Sequence, residues 1–145
     1  MKRILGIDYG AARIGLALSD PTQILASPLT TLQTARTLGD TIEVILSEIK
    51  THDVEAIVVG LPLLLSGKES ATTKTVRDFA DQLQEKSKLP VFLQDERLTS
   101  KEVERLLIAG CMKRKKRTQH LDKLSATLIL QTYLDASPSL PPVGV

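Results

Sequence analysis

Tryptophan is absent from the 145 residues, and only two Phe and two Tyr are present. The chain therefore lacks the aromatic platforms on which single-stranded bases stack, and its 42% apolar content rests on Ile, Leu, Val and Ala. Cysteine is nearly absent as well. Cys111 stands alone, which excludes an intramolecular disulfide and a cysteine-rich zinc site, and it reads as an unremarkable reduced thiol. The two histidines, His52 and His120, do not have the spacing of a zinc pair. No apolar run approaches the ~20 residues that span a bilayer, and the N-terminal apolar stretch is cut short by Asp8, so no signal-peptide core is expected. A soluble cytoplasmic protein is the expectation.

Excess charge is also scarce, with a net of +2, but it is concentrated. Lys113, Arg114, Lys115, Lys116 and Arg117 supply five positive charges, so the remainder of the chain carries −3. A basic run on a near-neutral domain is either a solvated segment or the footprint of a polyanion-binding surface.

A chain of this length is expected to form one domain with a real core, here residues 1–136, followed by a Pro-rich tail at 137–145 that reads as disordered. Arg3 to Asp8, Ile14 to Ser19 and Ile24 to Leu32 read as three antiparallel strands, with Pro21 and Pro28 suited to turns or an edge. Leu38, Ile42, Ile45, Leu46 and Ile49 fall on one helical face. Glu55 to Gly60 is a strand whose continuously apolar centre fits a parallel sheet covered on both sides. Val76, Phe79, Ala80 and Leu83 mark a second helix, and Val91 to Leu93 a fifth strand. Thr99 and Glu102 form a capping box for a helix that Gly110 would stop. Leu121, Leu124, Leu128 and Ile129 define a last helix after the basic run, with Asp122 near its positive dipole end.

The order βββ-α-β-α-β-α-α predicts an α/β fold: a mixed five-stranded sheet, antiparallel strands first and βαβ crossovers after, with helices on both faces. Sites in such sheets gather at the carboxyl ends of strands. Asp8, the Gly60-Leu61-Pro62 corner and Asp95-Glu96 all end strands and converge on one rim. Periodicity alone leaves open whether Asp95 or Glu96 points into it. Arg13 and Arg97 could pair with phosphate or neutralise the acids. Ser19 reads as a strand-end hydroxyl and Asp20 as a turn opener.

Four stretches in order carry a resemblance up to about Ala136. They are Gly6-Ile7-Asp8-Tyr9-Gly10 with Arg13-Ile14-Gly15-Leu16-Ala17 and Ser19-Asp20; Val59-Gly60-Leu61-Pro62 with Gly67; Asp95-Glu96-Arg97-Leu98-Thr99; and Asp122-Lys123-Leu124-Ser125-Ala126 with Ile129-Leu130-Gln131. The chain resembles the YqgF-type family of candidate pre-16S ribosomal RNA nucleases, also called Holliday-junction resolvase-like proteins, of ribonuclease H-like fold. The resemblance implies that Asp8, Glu96 and Asp122 are catalytic metal ligands for Mg²⁺ or Mn²⁺, which prefer hard oxygen donors. Two such ions can stabilise the attacking and leaving oxygens of phosphodiester hydrolysis.

The expected function is a metal-dependent endonuclease processing the 5′ end of pre-16S ribosomal RNA. Arg13, Arg97 and the run Lys113, Arg114, Lys115, Lys116 and Arg117 would hold the nucleic-acid partner, with the protein a monomer or homodimer and no membrane involved. Branched DNA cut by a dimer, or RNA bound without cleavage by a ribosome-assembly factor, are the alternatives. Asp-x-Gly after a first strand also resembles the phosphate hairpin of two-lobed actin-like ATPases, for which one short domain has no second lobe. Two departures from the family pattern stand out: Leu63-Leu64-Leu65 makes the loop before Gly67 apolar, suggesting exposed leucines for a partner, and Ala12 replaces a common Lys.

Overall fold

The structure is a computed structural model that describes residues 2–10, 12–34, 37–63, 66–95 and 114–136, with the backbone alone for 114–123. Five strands, β1 (Arg3–Tyr9), β2 (Arg13–Ser19), β3 (Ala26–Gln33), β4 (Val54–Leu61) and β5 (Val91–Asp95), form one sheet in the order β3-β2-β1-β4-β5. β2 is antiparallel to β1 and β3, while β4 is parallel to β1 and β5. The ends of β1, β4 and β5 thus share one rim, as the strand pattern predicts. Three helices, α1 (Leu38–Thr51), α2 (Ala71–Ser87) and α3 (Arg114–Asp135), complete the described fold. The capping box expected at Thr99 and the helix it would start lie outside the described residues, as does the tail at 137–145.

Strand alternation sorts the core into two layers. Leu5, Ile7, Ile14, Leu16, Ile57 and Val59 meet Ile42 and Ile45 of α1 and Val76, Phe79 and Leu83 of α2 on one face. Ile4, Ala17, Ala26, Ala56 and Val58 meet Ala126, Ile129 and Leu130 of α3 on the other. Since β4 contributes to both, its apolar run needs no polar partner on either side. Each fully buried Leu, Ile, Val or Phe stabilises the fold by about 1.5–3 kcal/mol before the cost of ordering it.

Helix starts follow from local hydrogen bonds. The Thr37 hydroxyl accepts from the Asp40 amide to begin α1. Ser70 and Thr73 form a reciprocal capping box that begins α2, and the Thr73 hydroxyl also donates to the Pro62 carbonyl, tying α2 to the corner after β4. Leu63 packs partly buried against the α1/α2 core, so it is not the exposed leucine expected; Leu64 and Leu65 lie outside the described residues.

Two ends are fixed by side chains close to the β1–β2 pair. The Ile4 amide lies beside a register shift between Arg3 and Ile4 and faces the end of β2. Buried Ser19 captures it, accepting at 2.8 Å and donating to the Asp20 carbonyl at 3.0 Å. Ser19→Ala is expected to lower stability by about 1–3 kcal/mol, because it strands a buried donor. Urea unfolding followed by circular dichroism reads this directly.

Asp20 next door is the turn opener that its position before Pro21 suggests. Its Oδ1 accepts from the amides of Ile24 at 2.8 Å and Leu25 at 2.9 Å, and its Oδ2 from the Thr22 hydroxyl. These bonds explain why β3 starts at Ala26 rather than Ile24: the preceding amides are engaged by a carboxylate. Led by the Leu25 amide, then Thr22 and Ile24, they lower the Asp20 pKa from 3.8 to about 2. A carboxyl with a depressed folded-state pKa contributes stability above its unfolded pKa and loses it as pH falls through the folded one. The stability gap between wild type and Asp20→Asn is therefore expected to narrow as pH drops from about 4 to about 2, measured by denaturant titration at stepped pH.

Candidate functional site

Asp8 is half-buried and penultimate in β1. It pairs with Gly15, which pairs in turn with Thr31, so the three share one row of the sheet. Ile4 and Gly6 lie at even steps before Asp8, and Ile4 belongs to the α3-side core. Asp8 therefore faces α3. Tyr9 faces the other way and stacks on buried Phe79 with ring centroids 4.3 Å apart, anchoring the strand end that carries the carboxylate. No local sequence signal points to this stack, which joins residues seventy positions apart.

The turn after Asp8 is tight. A Cβ on Gly10 would stand 2.6 Å from the Arg13 carbonyl oxygen, so close backbone approach requires this glycine. Thr34 staples the turn, its hydroxyl donating to the Gly10 carbonyl at 2.9 Å and its amide to the Ala12 carbonyl at 3.0 Å. Arg13 opens β2 in phase with Gly15 and so lies on the Asp8 side of the sheet. The loop at the next corner also needs a glycine: Gly67 has φ 86°, in the left-handed region.

α3 supplies the other side of the site. A Cβ on Gly6 would stand 2.7 Å from the Leu130 Cβ and 3.1 Å from the Ala126 carbonyl oxygen, so the helix lies directly on β1. Farther along, Gln131 accepts from the Ala26 amide at 2.8 Å and donates to the Ile24 carbonyl at 3.0 Å. Ala26 pairs with Ser19 at the end of β2, away from the rim. The carboxyl half of α3 thus lies at the bottom of the sheet, and its amino half climbs toward the rim. Position 122 is one helical turn above Ala126 on the stripe 122, 126, 130, and so approaches the level of Asp8.

One expectation is corrected here. α3 begins at Arg114, so Asp122 is its ninth residue rather than a first-turn residue, and the dipole effect, which fades after the first turn, does not hold it. Arg114, Lys115, Lys116 and Arg117 occupy that first turn instead, and His120 lies within the same helix. Arg and Lys are good helix formers, which lets the helix extend through the run.

The register also separates the two acids at the end of β5. Asp95 pairs with Leu61 and Leu93 with Val59, which puts Asp95, largely exposed, on the α1/α2 side and opposite Asp8. Glu96, Arg97 and Lys113 lie outside the described residues. Among the described residues no three His, Cys, Asp or Glu side chains come together as a metal cage. Asp8, the carboxylate described on the α3 side, is a hard oxygen donor that suits Mg²⁺ or Mn²⁺ rather than a softer ion. No helix among the described residues is long and apolar enough to cross a membrane.

The chain is 43% identical over 140 residues to a protein of Protochlamydia amoebophila (strain UWE25), covering 92% of this chain and 93% of that one. It is 46% identical over 133 residues to a protein of Koribacter versatilis (strain Ellin345), covering 92% and 86%. Both relatives are named as candidate pre-16S rRNA nucleases. Among solved structures, the RuvC of T. thermophilus in complex with a Holliday junction substrate superposes with a TM-score of 0.61 at 16% identity, covering 99% of this chain and 100% of that one. The fowlpox virus Holliday junction resolvase gives 0.58 at 11% identity, covering 92% and 97%. At these identities the likeness is one of fold: the mixed five-stranded sheet that the element order predicts, ribonuclease H-like as the family resemblance implies. Residues 2–136 match the family described as RuvX: Holliday junction resolvase, and the chain belongs to that family.

Proposed function

We propose that this protein is a divalent-metal-dependent nuclease of structured nucleic acid, acting in the cytoplasm on the 5′ end of pre-16S ribosomal RNA. What supports the reading is that Asp8 ends β1 on the face where α3 packs against Gly6, with position 122 one turn nearer the rim than Ala126 and a basic helix start beyond it. Family membership and the names of the relatives support the same chemistry.

In this reading Asp8, Glu96 and Asp122 hold Mg²⁺ or Mn²⁺. When bound, such ions neutralise phosphate charge and activate water for in-line displacement. The chain's own residues position the nucleic acid. Arg13 and Arg97 pair with phosphate oxygens near the scissile bond. Lys113, Arg114, Lys115, Lys116 and Arg117 grip the neighbouring backbone. Four of these five residues sit in the first turn of α3, where the helix dipole opposes cations and favours anions. That arrangement gains a reason once phosphates are present.

The test incubates a pre-16S transcript carrying its 5′ extension, and separately a four-way DNA junction, with the protein and Mg²⁺ or Mn²⁺. Trimming of the RNA, abolished by chelation, is expected. Paired cuts in the junction by a dimer, with the RNA left intact, would move the substrate to DNA. Binding of the transcript without cleavage under either metal would replace the nuclease with an assembly factor.

A further inference from the structure

We infer that Gln131 is a positioning residue for the metal site, setting the height of Asp122 against Asp8 from the opposite end of α3; this rests on the nuclease reading above. The apolar contact between α3 and the sheet, built on Gly6, Ala17, Ala56, Ala126 and Leu130, presses the helix close but is non-directional. Directional contact comes from Gln131. Its carboxamide uses both ends on the β3 start, accepting from the Ala26 amide at 2.8 Å and donating to the Ile24 carbonyl at 3.0 Å. Its nitrogen also donates to Asp135 Oδ1 at 2.9 Å, which orients the amide along its own helix.

The segment being gripped is itself held. Asp20 fixes the Ile24 and Leu25 amides, and Ala26 is in register with Ser19, so Gln131 ties the helix to a fixed point of the sheet. Position 122 lies nine residues up the same helix, about 13.5 Å away at 1.5 Å per residue. A rigid helix transmits an axial slip undiminished over that length. Oxygen ligands of Mg²⁺ and Mn²⁺ tolerate little displacement, since the preferred geometry is near-ideal. Ordering the far end of α3 is thus what holds Asp122 at the height that Asp8 requires.

The experiment measures Mn²⁺ affinity by calorimetry, well below the unfolding transition, for wild type, Gln131→Ala, Gln131→Glu and Ser19→Ala. Gln131→Glu keeps the volume and the acceptor for the Ala26 amide but removes the donor to the Ile24 carbonyl, and serves if the alanine variant fails to fold. Ser19→Ala loses a buried hydrogen bond at the same end of the sheet without removing any hydrogen bond of Gln131. Both Gln131 variants are expected to weaken Mn²⁺ binding about 10-fold or more, the scale of outer-shell losses, while Ser19→Ala stays within about 2-fold of wild type. Wild-type affinity in the folded Gln131 variants overturns the inference, as does an equal loss in Ser19→Ala. Asp8→Asn, run alongside, separates the two claims: if it binds Mn²⁺ like wild type, the site reading itself falls.

Discussion

Asp8→Asn is expected to lower RNA cleavage at saturating Mg²⁺ by more than about 100-fold while leaving the fold intact. Outer-shell partners of a metal already contribute 10–100-fold each, and a direct ligand contributes more. A factor of 100 corresponds to about 2.7 kcal/mol of barrier. Asparagine keeps the shape but offers a neutral oxygen in place of a charged one. The position tolerates the change because Asp8 is half-buried at the rim, next to Gly15 and outside the packed layer of Ile4, Val58 and Ile129. Unchanged turnover in the purified variant, with wild-type circular dichroism, would remove Asp8 from the chemistry. Transcript binding should survive the substitution, because the grip comes from cations elsewhere; binding lost together with cleavage would mean that the variant had been damaged more widely.

Where apolar spacing decides structure, the sequence is transparent. The strand β4 reads as doubly covered because Ala56 to Val59 is unbroken, and the two core layers confirm it. Starts and ends are less legible. The α2 cap uses Thr73 where a capping box usually has Glu or Gln, and residues 71–75 carry no apolar stripe, so nothing in that stretch announces a helix. The start of α3 is hidden by five like charges, which resemble a solvated segment until the helix is seen to run through four of them. Ile24 and Leu25 look like strand residues, but Asp20 takes their amides. Within the site, Asp8 and the shared rim are readable from the ends of strands. That Asp95 turns away from Asp8 depends on register, which local sequence does not encode. Gly6 and Gln131 gain meaning only from contacts more than a hundred residues distant.

Gly6→Ala is expected to combine both kinds of damage. The added carbon would stand 2.7 Å from Leu130 Cβ and 3.1 Å from the Ala126 carbonyl oxygen. Neither is the free end of a flexible side chain, so a rotamer change does not relieve the contact and the helix itself must move. Overpacking of a close-packed core costs about 1–3 kcal/mol, which lowers the melting temperature by about 2–12 °C at 2–4 °C per kcal/mol for a domain of this size. The backbone of β1 is not at fault, since alanine suits the strand's dihedral angles and the helix propensity of α3 is untouched. What changes is the separation between sheet and helix at the place where Ala126 and Leu130 set the path of α3 toward position 122. Cleavage should therefore fall further than the stability loss explains when both are measured at a temperature where the variant is fully folded. Leu130→Ala is the matched control: it removes packing on the same spot and lowers stability by about 2–5 kcal/mol, but it adds no atom between the two backbones and leaves α3 resting on Gly6. A Gly6→Ala protein with wild-type melting temperature and turnover would show that the helix has room to spare, and that close contact with β1 does not govern the site.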